Sequence, residues 1–225
     1  MKNNGEFEVC FNVQAAVDNK NKLIVDFDVV NDVNDQGQLS NMVKKVKEGF
    51  EDKNIIAVAD TGYFNMSEIV DVVDEQTEIL IKPQKGKKQK GETGFDKSNF
   101  KYNQVNDVFI CPMGHCLNFK RNGKQNGKDF KRYTCVNYNE CKKKELCTFA
   151  KGGRSITRFV DEDTIDQVTE NTIKKDNIYK KSGSIIGHTF GTIKRHFGYT
   201  YFLTRGLESV NTVVSLICLA YNFKR

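Results

Sequence analysis

The sequence predicts a mixed α/β fold, and three observations carry that prediction. Phe7–Val17 and Leu23–Val30 are strand-like runs joined by the polar link D-N-K-N-K, so a hairpin is the economical reading. Ile55–Ala59 is a short, wholly apolar run, as a buried strand requires. Leu39, Met42, Val43, Val46 and Phe50 recur at helical spacing and mark an amphipathic helix facing a sheet.

The remaining elements come in order along the chain. Asn31–Gln36 is a polar loop. Asn65 with Glu68 three residues on makes a capping-box-like start for a helix carrying Ile69, Val72 and Val73. Glu78–Ile81 reads as a strand closed by Pro83. The succession strand, strand, helix, strand, helix, strand is that of a mixed sheet with helices. From Lys82 to about Gly153 the pattern breaks, and K-P-Q-K-G-K-K-Q-K-G-E-T-G has the composition of a linker or flexible loop. Ser155–Val160 is a further strand and Thr164–Lys181 a polar helix. Ile185–Val210 is then the most patterned stretch. Ile186, Phe190, Ile193 and Phe197 form an apolar helical stripe, with Gly187, Gly191 and Lys194 on an adjoining face. Two glycines there suggest a close approach to that face or a lost side chain, since each costs about 1 kcal/mol relative to alanine. Leu207, Val210, Val214, Ile217 and Tyr221 mark a final amphipathic helix ending in K-R.

At 225 residues, with 38% hydrophobic and 28% charged residues, the composition is that of a soluble globular chain. No apolar run is long enough to cross a bilayer, and the start M-K-N-N-G-E-F-E-V-C is no signal segment. A cytoplasmic protein without a membrane partner is expected. The net charge of +6 is unevenly spread. Residues 1–60 carry seven Lys/Arg against eleven Asp/Glu, a local net of −4, whereas residues 82–160 carry nineteen against six, a net of +13. A basic middle segment suits a polyanion such as nucleic acid; a solvated lysine-rich loop is the plainer reading.

Five of the seven cysteines fall in that middle segment. In a cytosolic chain, clustered cysteines suggest metal more than disulfides. Cys111, Cys135, Cys141 and Cys147 could give zinc its four soft ligands, with His115 or Cys116 as substitutes. The spacing is looser than paired C-x2-C, so unligated thiols stand as the alternative. Asp60 ends the apolar strand, where α/β sheets place ligand and metal sites, and Gly62 beside it leaves room for a hydrated ion. A strand-end aspartate is more commonly a turn former. Asp18 reads as a hairpin-turn residue, and Asp26 and Asp28 as solvated on one strand face. His188 and His196 read as surface or DNA-facing. No phosphate-binding glycine loop and no nucleophile–base signature is present.

A-V-A-D-T-G-Y-F-N around Asp60, H-T-F-G-T-I-K-R-H-F-G from His188 and the closing R-G-L-E-S-V-N-T-V-V-S-L-I-C-L-A-Y-N-F-K-R together resemble the C-terminal part of a bacterial DDE insertion-sequence transposase. F-N-V-Q-A-A-V-D, N-D-V-N-D-Q-G-Q-L and C-P-M-G are similar to that group as well. The resemblance implies a ribonuclease H-like mixed sheet with flanking helices, interrupted by a basic, cysteine-containing insertion. Residues 1–82 would form the sheet core, 83–153 the insertion and 154–225 the completing helices. It implies two-metal DNA strand cleavage and transfer, with Mg²⁺ held by Asp, Asp and Glu. Asp60 matches the second aspartate and Mg²⁺ ligand. Lys194 matches the lysine that contacts DNA phosphate, with Arg195 beside it.

The match is incomplete. The glutamate belongs at position 187, where this chain has Gly187, and the first aspartate belongs on a strand expected upstream of Met1. Val213 stands where an acidic residue is usual. A lone carboxylate holds Mg²⁺ poorly, so the resemblance implies a truncated, inactive fragment. Its partner would be DNA at insertion-sequence ends, and a full-length relative would be expected to form a homodimer. The alternatives are a DNA-binding remnant and a structural zinc module, both without catalysis.

Overall fold

A computed structural model describes residues 2–3, 6–7, 10–50, 54–84 and 94–225. The chain divides into two compact units, one made of Met1–Gln84 with Thr164–Arg225 and the other of Lys85–Asp163.

In the first unit, β1 (Lys2–Asn3) and β2 (Glu6–Phe7) form a small antiparallel pair. β3 (Asn12–Val17) and β4 (Ile24–Val30) form the expected hairpin, with Asn12 opposite Val30. Asp18 shapes its turn: its carboxylate accepts from Asn21 N, a bond that holds its pKa below the usual range. Helix α1 (Leu39–Gly49) buries Leu39, Met42 and Val43. Phe50 lies just beyond it and is 46% exposed, because the chain has already turned extended there. β5 (Ile55–Val58) and β6 (Thr77–Leu80) pair in parallel across α2 (Met66–Val72). Asn65 caps α2 through Ser67 N at 3.1 Å. Glu68 does not complete a capping box; it accepts instead from Leu39 N at 3.0 Å, joining the first turns of the two helices.

The strands are therefore both parallel and antiparallel, which makes this unit mixed α/β. Among the described residues, however, no ladder joins the β3–β4 pair to the β5–β6 pair. Leu39, Val43, Ile69, Val72, Ile79, Ile81, Ile165 and Val168 fill one core.

The insertion departs most from expectation. Its linker-like segment at 85–93 lies outside the described residues, but the chain beyond it builds a five-stranded antiparallel sheet in the order β11–β10–β9–β8–β7. The strands are β7 (Lys101–Asn103), β8 (Val108–Ile110), β9 (Cys116–Gln125), β10 (Lys128–Cys135) and β11 (Ser155–Phe159), with a one-turn helix α3 (Lys144–Cys147) between the last two. Asn126 and Gly127, both left-handed at φ 52 and 78, make the two-residue turn between β9 and β10. Phe95, Phe100, Phe109, Leu117, Tyr133 and Ile156 give the sheet its own core. β11 pairs with β10, so the strand read at Ser155 belongs to this sheet and the unit runs past Gly153.

After α4 (Glu162–Lys174), α5 (Asp176–Gly191) begins earlier and ends earlier than the sequence pattern suggested. A π-helical turn (Thr192–His196) comes next, closed by Phe197 N to Thr192 O at 3.0 Å. The buried stripe is Ile185, Thr189 and Ile193; Ile193 is shared with the apolar stripe read from the sequence, whereas Ile185 and Thr189 stand one residue before its Ile186 and Phe190. Threonine can occupy that face because its hydroxyl bonds Ile185 O at 3.1 Å and meets Tyr221 Oη at 3.2 Å. The last helix, α6 (Leu207–Lys224), buries Val210, Val214, Ile217, Cys218 and Tyr221 against β4, whereas Leu207, at its first turn, is 42% exposed. Asn222 grips Ile24 on both sides, accepting from its N–H at 2.9 Å and donating to its carbonyl at 2.8 Å.

Candidate functional site

Asp60 lies just after β5 and is exposed. Its Oδ1 accepts from Thr61 N at 2.5 Å and from Thr61 Oγ1 at 3.1 Å, capping a 3₁₀ turn over Thr61–Tyr63. The room expected beside Gly62 is taken: a Cβ added there would lie 3.3 Å from Asp35 Oδ2. Asp35 is in turn fixed by Asn12 Nδ2 at 2.9 Å and Gln14 Nε2 at 3.0 Å. Gln14 is almost fully buried, and its carbonyl oxygen accepts from the Tyr63 hydroxyl. Burial, with the charges of Asp35 and Asp60 adding to it, pushes the Tyr63 hydroxyl up to about 12. Asp35, Gln14 and Tyr63 fall in stretches that carry the resemblance, but the bonds among them have no mark in the sequence; D-V-N-D-Q-G reads only as a polar loop until its partner strand is known.

On α5, burial first and then Asp60 raise the pKa of Tyr179, so Asp60 stands near that helix. Lys82 also addresses this turn, pairing with Asp176 at 2.8 Å and lying 4.5 Å from the Tyr179 ring centroid. Gly187 is two turns further on, about 12 Å along the axis. It is exposed, and a Cβ added at Gly187 or Gly191 meets nothing within 4 Å. Close approach by another part of the described chain therefore does not explain these glycines. The remaining acidic candidates are structural: Asp28 accepts from Asn41 at 2.6 Å and pairs with Lys45 at 3.0 Å.

Lys194 and Arg195 are exposed in the π turn, a geometry that recurs at functional sites. Arg195 lines an open groove with His188, His196, Lys224 and Arg225, and none of the lining residues is acidic. Lys224 Nζ lies 2.6 Å from His196 Nε2 and 5.0 Å from the Phe197 ring centroid. Such a groove can receive phosphate oxygens through several N–H donors at once. Its signal in the sequence was the closing K-R, which gained meaning only from the packing of α6.

In the insertion, burial raises the thiol pKa values of Cys135 and Cys147, with neighbouring cysteines adding to each; an amide bond from Asn137 opposes this at Cys135 and the charge of Arg154 at Cys147. Among the described residues, no three His, Cys, Asp or Glu side chains stand where they could hold a metal ion. At the positions where the resemblance would place Mg²⁺ ligands, Gly187 offers no oxygen and Asp60 has one carboxylate oxygen bonded to Thr61. No described helix is long and apolar enough to cross a membrane.

A profile of the transposase DDE domain family matches residues 110–225. The matched region takes in most of the insertion sheet, α4, α5 with Gly187, the π turn and α6; Asp60 lies outside it. No curated protein and no solved structure matches the chain. A DDE domain implies DNA transposition, with DNA as partner and divalent-metal use in general. With more than half of its length matched, the chain belongs to the DDE-domain transposases.

Proposed function

We propose that this chain is a DNA-binding transposase domain of ribonuclease H-like architecture that does not cleave DNA by itself. The observation that carries this reading is the contrast along one helix. Gly187 presents no carboxylate to open space, whereas the adjoining π turn exposes Lys194 and Arg195. A two-metal mechanism needs several oxygen ligands from the protein, and Gly187 contributes none. The ribonuclease H-like reading draws support from the antiparallel β3–β4 hairpin together with the parallel β5–α2–β6 unit.

The groove formed by Arg195, His196, Lys224 and their neighbours, which has no acidic side chain in its lining, supports DNA-backbone contact. So does the insertion, where Lys120, Arg121 and Lys124 are exposed on β9 and Arg121 stands opposite Arg132 on β10. Directly opposed like charges weaken a strand pair, and a polyanion relieves the repulsion. Fluorescence anisotropy with duplex DNA tests the reading. Binding at low salt should weaken log-linearly as salt rises, and Lys194→Ala and Arg195→Ala should each lower the slope by about one counterion. Absence of binding at low salt would refute it.

A further inference from the structure

We propose that the insertion unit carries a structural zinc site formed by the thiolates of Cys111, Cys135, Cys141 and Cys147. The sheet register gathers these residues. Ile110 pairs with Cys116 and Leu117 with Cys135, so the end of β8, the start of β9 and the end of β10 lie together. Cys111 and Cys135 are therefore at the same end of the sheet. The segment carrying Cys141 and Cys147 leaves and returns at that end, because Cys135 N donates to Arg154 O at 3.0 Å. Cys135 belongs to the core of this unit, and Cys111 and Cys147 pack against the same cluster.

The second observation is the turn C-P-M-G-H-C. Gly114 takes φ +82, Gly114 N bonds Cys111 O at 2.9 Å, and the backbone N–H groups of Met113 and His115 both point at Cys111 Sγ, each at 3.3 Å. Two backbone N–H groups aimed at one sulfur are the outer hydrogen bonds that orient a metal-bound cysteine, and a sulfur buried only for its bulk needs neither. All seven cysteines are free, so the sulfurs are not committed to one another.

The four sulfurs are neighbours without yet standing at ligating positions, so binding draws them in. Cys111 and Cys135 are anchored by strands. Cys141 follows the short turn Tyr138–Glu140 and Cys147 ends the one-turn helix Lys144–Cys147, so neither is fixed by a strand. Each ligating thiol gives up its proton, and the metal gathers a segment that otherwise has few apolar anchors. Soft thiolates select zinc over the hard cations used in phosphoryl transfer. The site is structural, since four protein ligands leave no open position.

The test uses the full chain under reducing conditions. Elemental analysis should find about one zinc per chain, and cobalt(II) added to metal-stripped protein should give the intense visible bands of tetrahedral thiolate coordination, lost when zinc is added. The paired substitution Cys135→Ser with Cys141→Ser should remove both signals; Cys10→Ser with Cys218→Ser should leave them intact. Wild-type chain that neither retains zinc nor develops the cobalt bands overturns the proposal. So does retention of either signal, unchanged, by the Cys135/Cys141 variant. The cobalt titration uses the unaltered chain, so misfolding of a variant leaves the test decisive.

Discussion

Tyr63 shows how one residue ties the neighbourhood of Asp60 to the strand hairpin. Its hydroxyl donates to Gln14, which is 1% exposed, and Gln14 donates to Asp35. Tyr63→Phe leaves the Gln14 carbonyl oxygen buried and unpaired, so denaturant unfolding should show a loss of about 1–3 kcal/mol. The pKa shift fixes the pH dependence. Because the folded value is raised from 10.0 to about 12, the contribution of the neutral hydroxyl is complete below pH 10 and is lost as pH rises toward 12. Unfolding measured across that range should show this loss in wild type and less of it in Tyr63→Phe. Gly187 makes an independent prediction. It is exposed within α5 and its missing Cβ meets open space, so Gly187→Ala should raise stability by roughly 0.5–1 kcal/mol. A lower melting temperature would mean that another group occupies that space. The strand-end position of Asp60 was legible from the apolar run before it. The Asp35–Gln14–Tyr63 chain was not, because it joins residues 49 positions apart.

At the scale of elements, local period and turn chemistry predicted the hairpin, α1, β5, α2 and β6 to within a residue or two at most ends. The insertion sheet escaped because β9 is mostly polar and exposed and half of β10 is charged, so period-two hydrophobicity is faint. The Asn126-Gly127 pair was the available signal, the strongest short-range mark of a hairpin. On α5 the stripe was read at Ile186 and Phe190 rather than at Ile185 and Thr189 for a related reason: Thr189 reads as polar, yet its hydroxyl is satisfied inside the core. Gly123 tests the β9–β10 pairing. A Cβ there would stand 2.6 Å from the Phe130 ring, so Gly123→Ala should destabilise the insertion by about 1–3 kcal/mol, read by thermal melting. An unchanged melt would show that Phe130 does not pack across Gly123.

For the whole molecule, Asp18, Asp28 and Asp35 in the acidic first part are held by local bonds, while the C-terminal groove and the exposed face of β9 carry cationic side chains. Composition alone pointed to a polyanion partner; it took the fold to bring Arg195 and Lys224 to one groove. Lys224→Ala should weaken DNA binding uniformly across sequences and lower the salt slope by about one. Sequence-selective loss would mean that Lys224 reads bases rather than backbone. The central claim is that this transposase domain binds DNA without cutting it, and a strand-nicking and strand-transfer assay on element ends with Mg²⁺ or Mn²⁺ tests it most directly. No product above background is expected from the wild-type chain. Robust metal-dependent cleavage that disappears in Asp60→Ala would contradict the claim.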